Sequence, residues 1–407
     1  MIDNGNNRQG MKVCMLIGWL PPHFSGAGRQ ALHLAPQLQA QGVQVWFLSS
    51  LTDPQSPRED VLEGFPVFRV PYTTGGKWQK FQGVVALCRL LMRRRHEFDL
   101  LHVHGPDYLT LAVAWFARTA LRKPVLVKMT LVGYDNPQAV KTRKYGRIAW
   151  WLYQRVSAYV CISTAQYEDG RRHGIAAARL HLIANGVNTG RFQPAASRAE
   201  RDQLLAQLGL APGARYGVFI GSIEQRKGVD LLVEAAAQVC AVEPAARFLL
   251  IGPDGSRAGN SHVDRAFVSQ IRARIQAAGL EDRILLLGER HNPEAYLRVA
   301  TFFLFTSRAE GFGTVLAEAM ATGLPCVALR IPGVTGDILD HDRTGIIIER
   351  EDPGEFSAAM LRLLAEPDLA ARLGQAARTA ALERFDIAAV ARRYVELYRS
   401  LLERPYR

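Results

Sequence analysis

The chain has 407 residues, too many for one ordinary core and well suited to two domains of roughly 150–200 residues. With 48% hydrophobic and 22% charged residues it is neither fibrous nor disordered, and globular structure is expected throughout. A net charge of +12 calls for an anionic partner, whether nucleotide phosphates, an anionic membrane surface or nucleic acid.

Residues 1–10, MIDNGNNRQG, read as a disordered lead-in without the apolar centre of a signal peptide. MKVCMLIGWL is then a short strand, PPHFSGAG a turn, RQALHLAPQLQAQG an amphipathic helix and VQVWFLSS a second strand. Such alternation means βαβ units and a parallel sheet. In the turn, Ser25-Gly26-Ala27-Gly28 lets backbone amides approach an anion at a helix N-terminus, although tight βα turns also use Gly for steric reasons alone.

Further on, Lys77-Trp78-Gln79-Lys80 is a small basic–aromatic loop, and Arg93-Arg94-Arg95-His96 ends a helix. FDLLHVHGPDYLT places His102 and His104 on a strand. In KTRKYGRIAWWLYQR, residues Lys141, Arg143, Lys144, Arg147 and Arg155 alternate with Tyr145, Trp150, Trp151 and Tyr153. A basic face beside aromatics suits a helix docking on anionic lipid; a partly buried helix with a solvated cationic side is the other reading. Nothing resembles a helix-turn-helix, an RRM or a zinc finger, so nucleic acid is not an expected partner.

Periodicity lapses over residues 188–200, NTGRFQPAASRAE, where Pro194 and small residues gather. This gives an N-terminal domain over 11–195 and a C-terminal domain over 196–385. A final helix over 386–407 is expected to pack back towards the first domain. The pattern restarts with strand RYGVFIGSI, helix VDLLVEAAAQVCAVEP and strand ARFLLIGP; RILLLGE, TFFLFTS and PCVALR follow as strands. The expected fold class is α/β, with two doubly wound domains in tandem.

After the strand RYGVFIG come Ser222-Ile223-Glu224-Gln225-Arg226-Lys227-Gly228, where an adjacent Arg and Lys suit a diphosphate. After TFFLFTS comes SRAEGFGTVLAEAM, with Glu310 in a loop and Glu318 about one turn into a helix beginning near Thr314. Amides at Phe312, Gly313, Thr314 and Val315 can receive a phosphate or anionic oxygen. Carboxylates suit sugar and ribose hydroxyls, which donate to them.

These stretches resemble the donor domain of family 4 retaining glycosyltransferases, which carry two glutamates at the separation of Glu310 and Glu318. The likeness extends over nearly the whole chain, through PPHFSGAGRQALHLAPQLQAQG, FDLLHVHGPDYLT and HLIANGVNTGRFQP. It implies the GT-B fold: two Rossmann-like domains facing a central cleft, an acceptor domain first and a nucleotide-sugar domain second. The resemblance also implies roles. Gly26 offers its amide to the donor phosphate and His104 contacts the transferred sugar. Arg226 and Lys227 bind the diphosphate. Glu310 orients the sugar, Glu318 holds the ribose, and the amides of Phe312, Gly313 and Thr314 complete the contacts.

The sequence departs from the family pattern in four places. Ser25-Gly26 replaces a Gly pair, and Ser222 stands where an Arg is common, adding weight to Arg226 and Lys227. Val132 replaces the histidine of a Thr-x-His-Gly-x-Asp motif, which points to an acceptor unlike the common ones. Gly336, with Asp337 beside it, stands where an acid is usual.

Asp340-His341-Asp342 has the metal-dependent Asp-x-Asp form but falls in a turn, and His102 with His104 lacks a third ligand in sequence, so no metal is expected. No cofactor is expected beyond a nucleotide-diphosphate sugar as co-substrate. The implied reaction moves a hexosyl group, with retention, to a glycan or lipid-linked acceptor in polysaccharide, lipopolysaccharide or glycolipid synthesis. A nucleotide-sugar epimerase and a non-catalytic nucleotide-sugar binder are the alternatives. Cys14, Cys88, Cys161, Cys240 and Cys326 form no CxxC pair and read as reduced thiols. They fit a cytoplasmic protein, peripheral on the inner face of a membrane if the basic helix docks there.

Overall fold

A computed structural model describes residues 10–23, 25–53, 55–72, 75–256 and 263–403. The expected lead-in lies outside the described residues except for Gly10, as does the end of the C-terminal segment past residue 403. The chain forms two compact units. The first takes the described residues up to Ile162, Gln166–Ala184 and the segment from Ile387; the second takes Ser163–Ala165 and Asn185–Asp386.

In the first unit the strands are β1 (Lys12–Ile17), β2 (Gln44–Ser50), β3 (Glu59–Leu62), β4 (Phe65–Val70), β5 (Leu100–His104), β6 (Val125–Lys128), β7 (Ala158–Cys161) and β8 (Leu180–Leu182). They lie in the order β3-β4-β2-β1-β5-β6-β7-β8. All pairings are parallel except β3 with β4. That hairpin is absent from the sequence reading. It closes on Glu63 and Gly64, both left-handed with φ of 51° and 87°, and gives the sheet an antiparallel edge.

β5, β6 and β7 are buried along their length, as parallel strands covered on both faces must be. Successive side chains point to opposite faces. Leu101, Val103, Val125 and Val127 join a core with Leu87, Leu91, Leu111 and Val113 from the helices Lys77–Arg93 and Tyr108–Thr119. His102, His104 and Lys128 take the opposite face. The helix Ile387–Glu403 belongs to this unit and packs along the helix Gly26–Gln39. From it the Tyr398 hydroxyl lies 2.8 Å from His102 Nδ1.

The second unit has β9 (Arg215–Ile220), β10 (Ala246–Ile251), β11 (Ile284–Gly288), β12 (Phe302–Phe305), β13 (Cys326–Leu329) and β14 (Ile346–Ile348). Their order is β11-β10-β9-β12-β13-β14, parallel throughout. Phe248, Phe302, Leu232, Val239, Met360 and Leu363 close its core against the helices Val229–Val242 and Pro353–Ala365. Two doubly wound parallel sheets are what the alternating pattern demanded.

Strand order reverses beside β1 in the first sheet and beside β9 in the second. Doubly wound sheets bind ligands past the carboxyl ends of the strands at such points. There β1 and β5 end with Ile17 opposite His104; in the second sheet β9 and β12 run side by side with Val218 opposite Phe303.

The basic–aromatic segment differs from its expected form. It is two short helices, Pro137–Thr142 and Gly146–Tyr153, broken at Tyr145, which is left-handed with φ 66°. A Cβ on Gly146 would meet the Lys141 carbonyl at 2.0 Å, so the glycine admits a close turn where a continuous helix was expected. The C-terminal stretch is three helices, Pro353–Ala365, Pro367–Phe385 and Ile387–Glu403. All five cysteines are free, four of them buried. Among the described residues no helix is long and apolar enough to cross a membrane.

Candidate functional site

The loops leaving β9 and β12 meet at the switch point of the second unit. A 3-10 turn, Gln225–Lys227, ends at Gly228, whose φ of 65° is left-handed. A Cβ there would lie 2.0 Å from the Thr306 carbonyl, so only glycine lets the two loops touch. Thr306 Oγ1 donates to the Lys227 carbonyl at 2.9 Å, and the Arg308 amide donates to the Arg226 carbonyl at 2.8 Å. The Arg308 guanidinium grips Asp230 at 2.8 and 3.0 Å, the Gln225 carbonyl at 2.6 Å and Glu351 at 2.8 Å. Arg308, to which the motif alone gives no role, is the clamp between these loops.

This frame brings three expected site residues together. Lys227 Nζ donates to Glu310 Oε1 and forms an ion pair with it. Arg226 Nη1 stands 3.6 Å from Glu310 Oε2 and donates to the Ala309 carbonyl at 2.9 Å. Arg226 also pairs with Glu224 at 2.7 Å. Burial alone would raise the Glu310 carboxyl, which is 9% exposed. The charges of Lys227 and Arg226, with hydrogen bonds from Lys227 and Ser307, outweigh it and hold the carboxyl below its ordinary value. Glu310 is therefore a carboxylate at neutral pH, beside two cations. Ser222 is buried at the end of β9.

The helix Thr314–Ala321 begins at Gly313, left-handed with φ 100°. Phe312 is buried edge-to-face on Phe385, with ring centroids 5.5 Å apart, so its backbone rather than its ring is left for a ligand. The first amides of a helix have no intrahelical acceptor and carry the positive end of its dipole. Asn185 Nδ2 donates to Thr314 Oγ1 at 3.1 Å. Glu318 is half-buried one turn further on.

In the first unit, Ser25 caps the helix Gly26–Gln39, its hydroxyl accepting from the Gly28 amide at 3.1 Å. The two glycines of this turn differ. A Cβ on Gly28 would meet the Trp19 carbonyl at 2.4 Å, whereas nothing stands within 4 Å of one on Gly26. Gly28 is the steric glycine and Gly26 the open one.

His104 is buried, and neither ring nitrogen has a hydrogen-bond partner among the described residues. Its ring lies 4.1 Å from that of His102, centroid to centroid. Burial, with the charge of Lys128 nearby, pushes both imidazoles well below their usual range, so both are neutral. In the altered Thr-x-His-Gly-x-Asp motif, Asp135 accepts from the Thr130 amide at 2.7 Å, Thr130 Oγ1 at 2.6 Å and the Leu131 amide at 3.1 Å. Burial pushes its carboxyl up to about 6 against those hydrogen bonds. Thr130 and Asp135 thus shape the loop, and Val132 stands half-buried at the histidine position. Sequence reasoning missed Lys128, which strand register alone sets opposite His104.

Among the described residues, no group of three or more His, Cys, Asp or Glu side chains is placed to hold a metal ion. In the Asp340–Asp342 turn, Asp340 pairs with Arg343 at 3.1 Å and His341 Nδ1 accepts from the Ile347 amide at 3.0 Å.

Residues 24–191 match the family model Glycosyltransferase Family 4, and residues 200–380 match Glycosyl transferases group 1. The lipopolysaccharide core biosynthesis mannosyltransferase LpsB of Rhizobium meliloti is 34% identical over 320 residues, covering 75% of this chain and 84% of that protein. A GDP-mannose:cellobiosyl-diphosphopolyprenol alpha-mannosyltransferase of Komagataeibacter xylinus is 27% identical over 411 residues, covering 97% and 94%. In fold, sucrose-phosphate synthase of Thermosynechococcus elongatus superposes with a TM-score of 0.78 at 23% identity, over 96% of this chain and 99% of that one. Anabaena HepE, solved with UDP and glucose, gives 0.77 at 22% identity, over 96% and 100%. The chain belongs to the family 4 glycosyltransferases and has their GT-B fold.

Proposed function

We propose that the protein is a retaining hexosyltransferase that takes its sugar from a nucleotide-diphosphate donor without a metal ion. The acceptor is a glycan or a lipid-linked sugar, in polysaccharide, lipopolysaccharide or glycolipid synthesis. The two relatives named above are mannosyltransferases, which makes mannosyl the first donor sugar to try.

The observation that carries this reading is the grouping of Arg226, Lys227 and Glu310 beside the start of the helix Thr314–Ala321. Breaking an anomeric carbon–phosphate bond leaves negative charge on the departing diphosphate. Two cations and a helix N-terminus are suited to stabilise it as it develops, which is the function a metal serves in other transferases. Glu310 is anionic beside them and suits the electron-poor ring carbon or a sugar hydroxyl; Glu318 is assigned to the ribose. In the first unit, Gly26 offers an open amide for phosphate. Neutral His104 is suited to accept from a hydroxyl of the transferred sugar. Retention follows from front-face attack, with the leaving phosphate receiving the acceptor's proton. An epimerase would need an acid–base pair of its own, and this group of side chains favours transfer.

We extend the reading to a cytoplasmic enzyme docking on an anionic membrane surface through its first unit. The helix Gly146–Tyr153 buries Ala149, Leu152 and Tyr153 yet leaves Ile148 and Trp151 64% and 44% exposed. Arg155 sits 3.6 Å over the Trp151 ring and Arg143 sits 3.9 Å over Tyr134.

Donor hydrolysis or transfer, followed with GDP-mannose and with UDP- and ADP-hexoses, tests the central reading. Lys227→Ala is expected to lower kcat/KM by roughly a hundredfold or more, the scale of losing one preorganised charge-stabilising group. Tight nucleotide-sugar binding with no turnover in the wild type would instead support a sensor.

A further inference from the structure

Lys128 ends β6, opposite His104 on β5, with its side chain on the face covered by the helix Ile387–Glu403. It is only 4% exposed. Its ammonium lies 5.7 Å from the Tyr394 ring centroid, and no described residue gives it a hydrogen bond or an ion pair. Around it, His104 Nδ1 and Nε2, His102 Nε2 and the Tyr394 hydroxyl are buried without a hydrogen-bond partner among the described residues, while His102 Nδ1 is held by Tyr398. Buried polar groups are ordinarily paired, and a buried cation without a counter-charge is among the most expensive arrangements in a protein. Burial drives the Lys128 amine down to about 7. The group therefore has hydrogen-bonding capacity, a latent positive charge and no acid. It stands at the carboxyl ends of two strands beside the topological switch point, where doubly wound sheets bind ligands.

We propose that Lys128 and His104, backed by His102 and Tyr394, form an anionic subsite that receives a carboxylate or phosphate carried by a sugar substrate. The proposal rests on the glycosyltransferase reading only for the statement that the ligand is a sugar. The anion supplies the counter-charge Lys128 lacks, and the imidazole and phenol supply directional hydrogen bonds. Two sources share this chemistry: a uronosyl carboxylate on the donor, or a phosphate or carboxylate on the acceptor.

The test uses the full chain and two matched probe pairs in calorimetric or thermal-shift titrations. UDP-glucuronate against UDP-glucose probes the donor, and glucose 6-phosphate against glucose probes the acceptor. The wild type is expected to favour the anionic member of one pair; which pair identifies the source. Lys128→Met is expected to lose that preference by roughly ten- to a hundredfold, the scale of a hydrogen bond to a charged group. It should melt no lower than the wild type, since methionine fills the space without a buried charge. A purely structural lysine would lower the melting point instead and leave any preference unchanged. No preference in either pair, or an undiminished preference in Lys128→Met, overturns the subsite. UDP and GDP binding, compared between wild type and Lys227→Ala, is measured in parallel. If nucleotide binding depends on Lys227 while the sugar preference is absent, the subsite fails and the transferase reading stands.

Discussion

At the scale of single residues, the loops after β9 and β12 depend on one glycine, and Lys128 in the first unit carries a charge that burial opposes. Gly228 holds a left-handed φ against the Thr306 carbonyl. Gly228→Ala should cost on the order of 1–2 kcal/mol for the backbone alone, with the clash adding to it. The β9 and β12 loops should then separate, so differential scanning calorimetry should show a lower second-unit midpoint together with weaker nucleotide binding. An unchanged midpoint would mean that the loops do not need this contact. Lys128 makes a prediction about pH. Its folded pKa, about 7, lies below the ordinary 10.5. Stability from the neutral amine is therefore complete above about pH 10.5 and is lost as pH falls through 7. The groups facing it are His102, His104, Tyr394 and Tyr398. The imidazoles are depressed and the phenols raised, so they titrate below and above that window. The first unit's melting point should decline between about pH 10 and 7, and Lys128→Met should flatten the slope. Arg226, Lys227 and Glu310 were legible because each follows a strand in a recognisable run. Lys128 was not, because the sequence does not state which strand pairs with which, and register makes it His104's neighbour.

At the scale of elements, strands and their order of appearance could be read well because buried parallel strands are unbroken apolar runs. The basic–aromatic segment was harder. Its composition reads as one helix, but the left-handed Tyr145 and the close approach at Gly146 divide it. The division leaves an eight-residue helix, Gly146–Tyr153, with apolar residues on both its inner and outer faces. The outer residues Ile148 and Trp151 have no core to join, and Trp115 extends the patch, its ring 6.0 Å from that of Trp151. Arg155 lies over the exposed Trp151 face, so charge and apolar surface share one site. Vesicle flotation should show binding to anionic liposomes, weakening with salt, and little to neutral ones. Ile148→Ser with Trp151→Ser should release the protein from vesicles without lowering its melting point. Equal binding to both lipid types, or none to either, would end the idea.

At the scale of the whole molecule, each unit closes its own core, and each sheet has its own switch point. The composition and the repeated βαβ pattern made two domains legible. The strongly amphipathic end of the chain carried the further expectation of a final helix over 386–407 packing back towards the first domain; the last described helix, Ile387–Glu403, groups with the first unit, and its Tyr394, Val395 and Tyr398 are buried there. A chain that returns to its first unit after finishing its second brings together residues 296 positions apart at His102 and Tyr398 and 347 apart at Gln41 and Ala388, and no local signal records which residues meet. Two cores predict that unfolding is not a single two-state event, and a denaturant titration should resolve two steps. Nucleotide diphosphate should act on them unequally. Arg226, Lys227 and the amides before Thr314 all belong to the second unit, so binding should displace that unit's step. At a hundredfold excess over the dissociation constant the gain is about 2.7 kcal/mol. Lys227→Ala should remove most of it, while the first unit's step stays where it was. Site-selective fluorescence separates the two steps, because the described tryptophans, Trp19, Trp46, Trp78, Trp115, Trp150 and Trp151, all lie in the first unit. A nucleotide-induced shift carried by tryptophan fluorescence and absent from the remaining far-ultraviolet transition would place the diphosphate in the wrong unit.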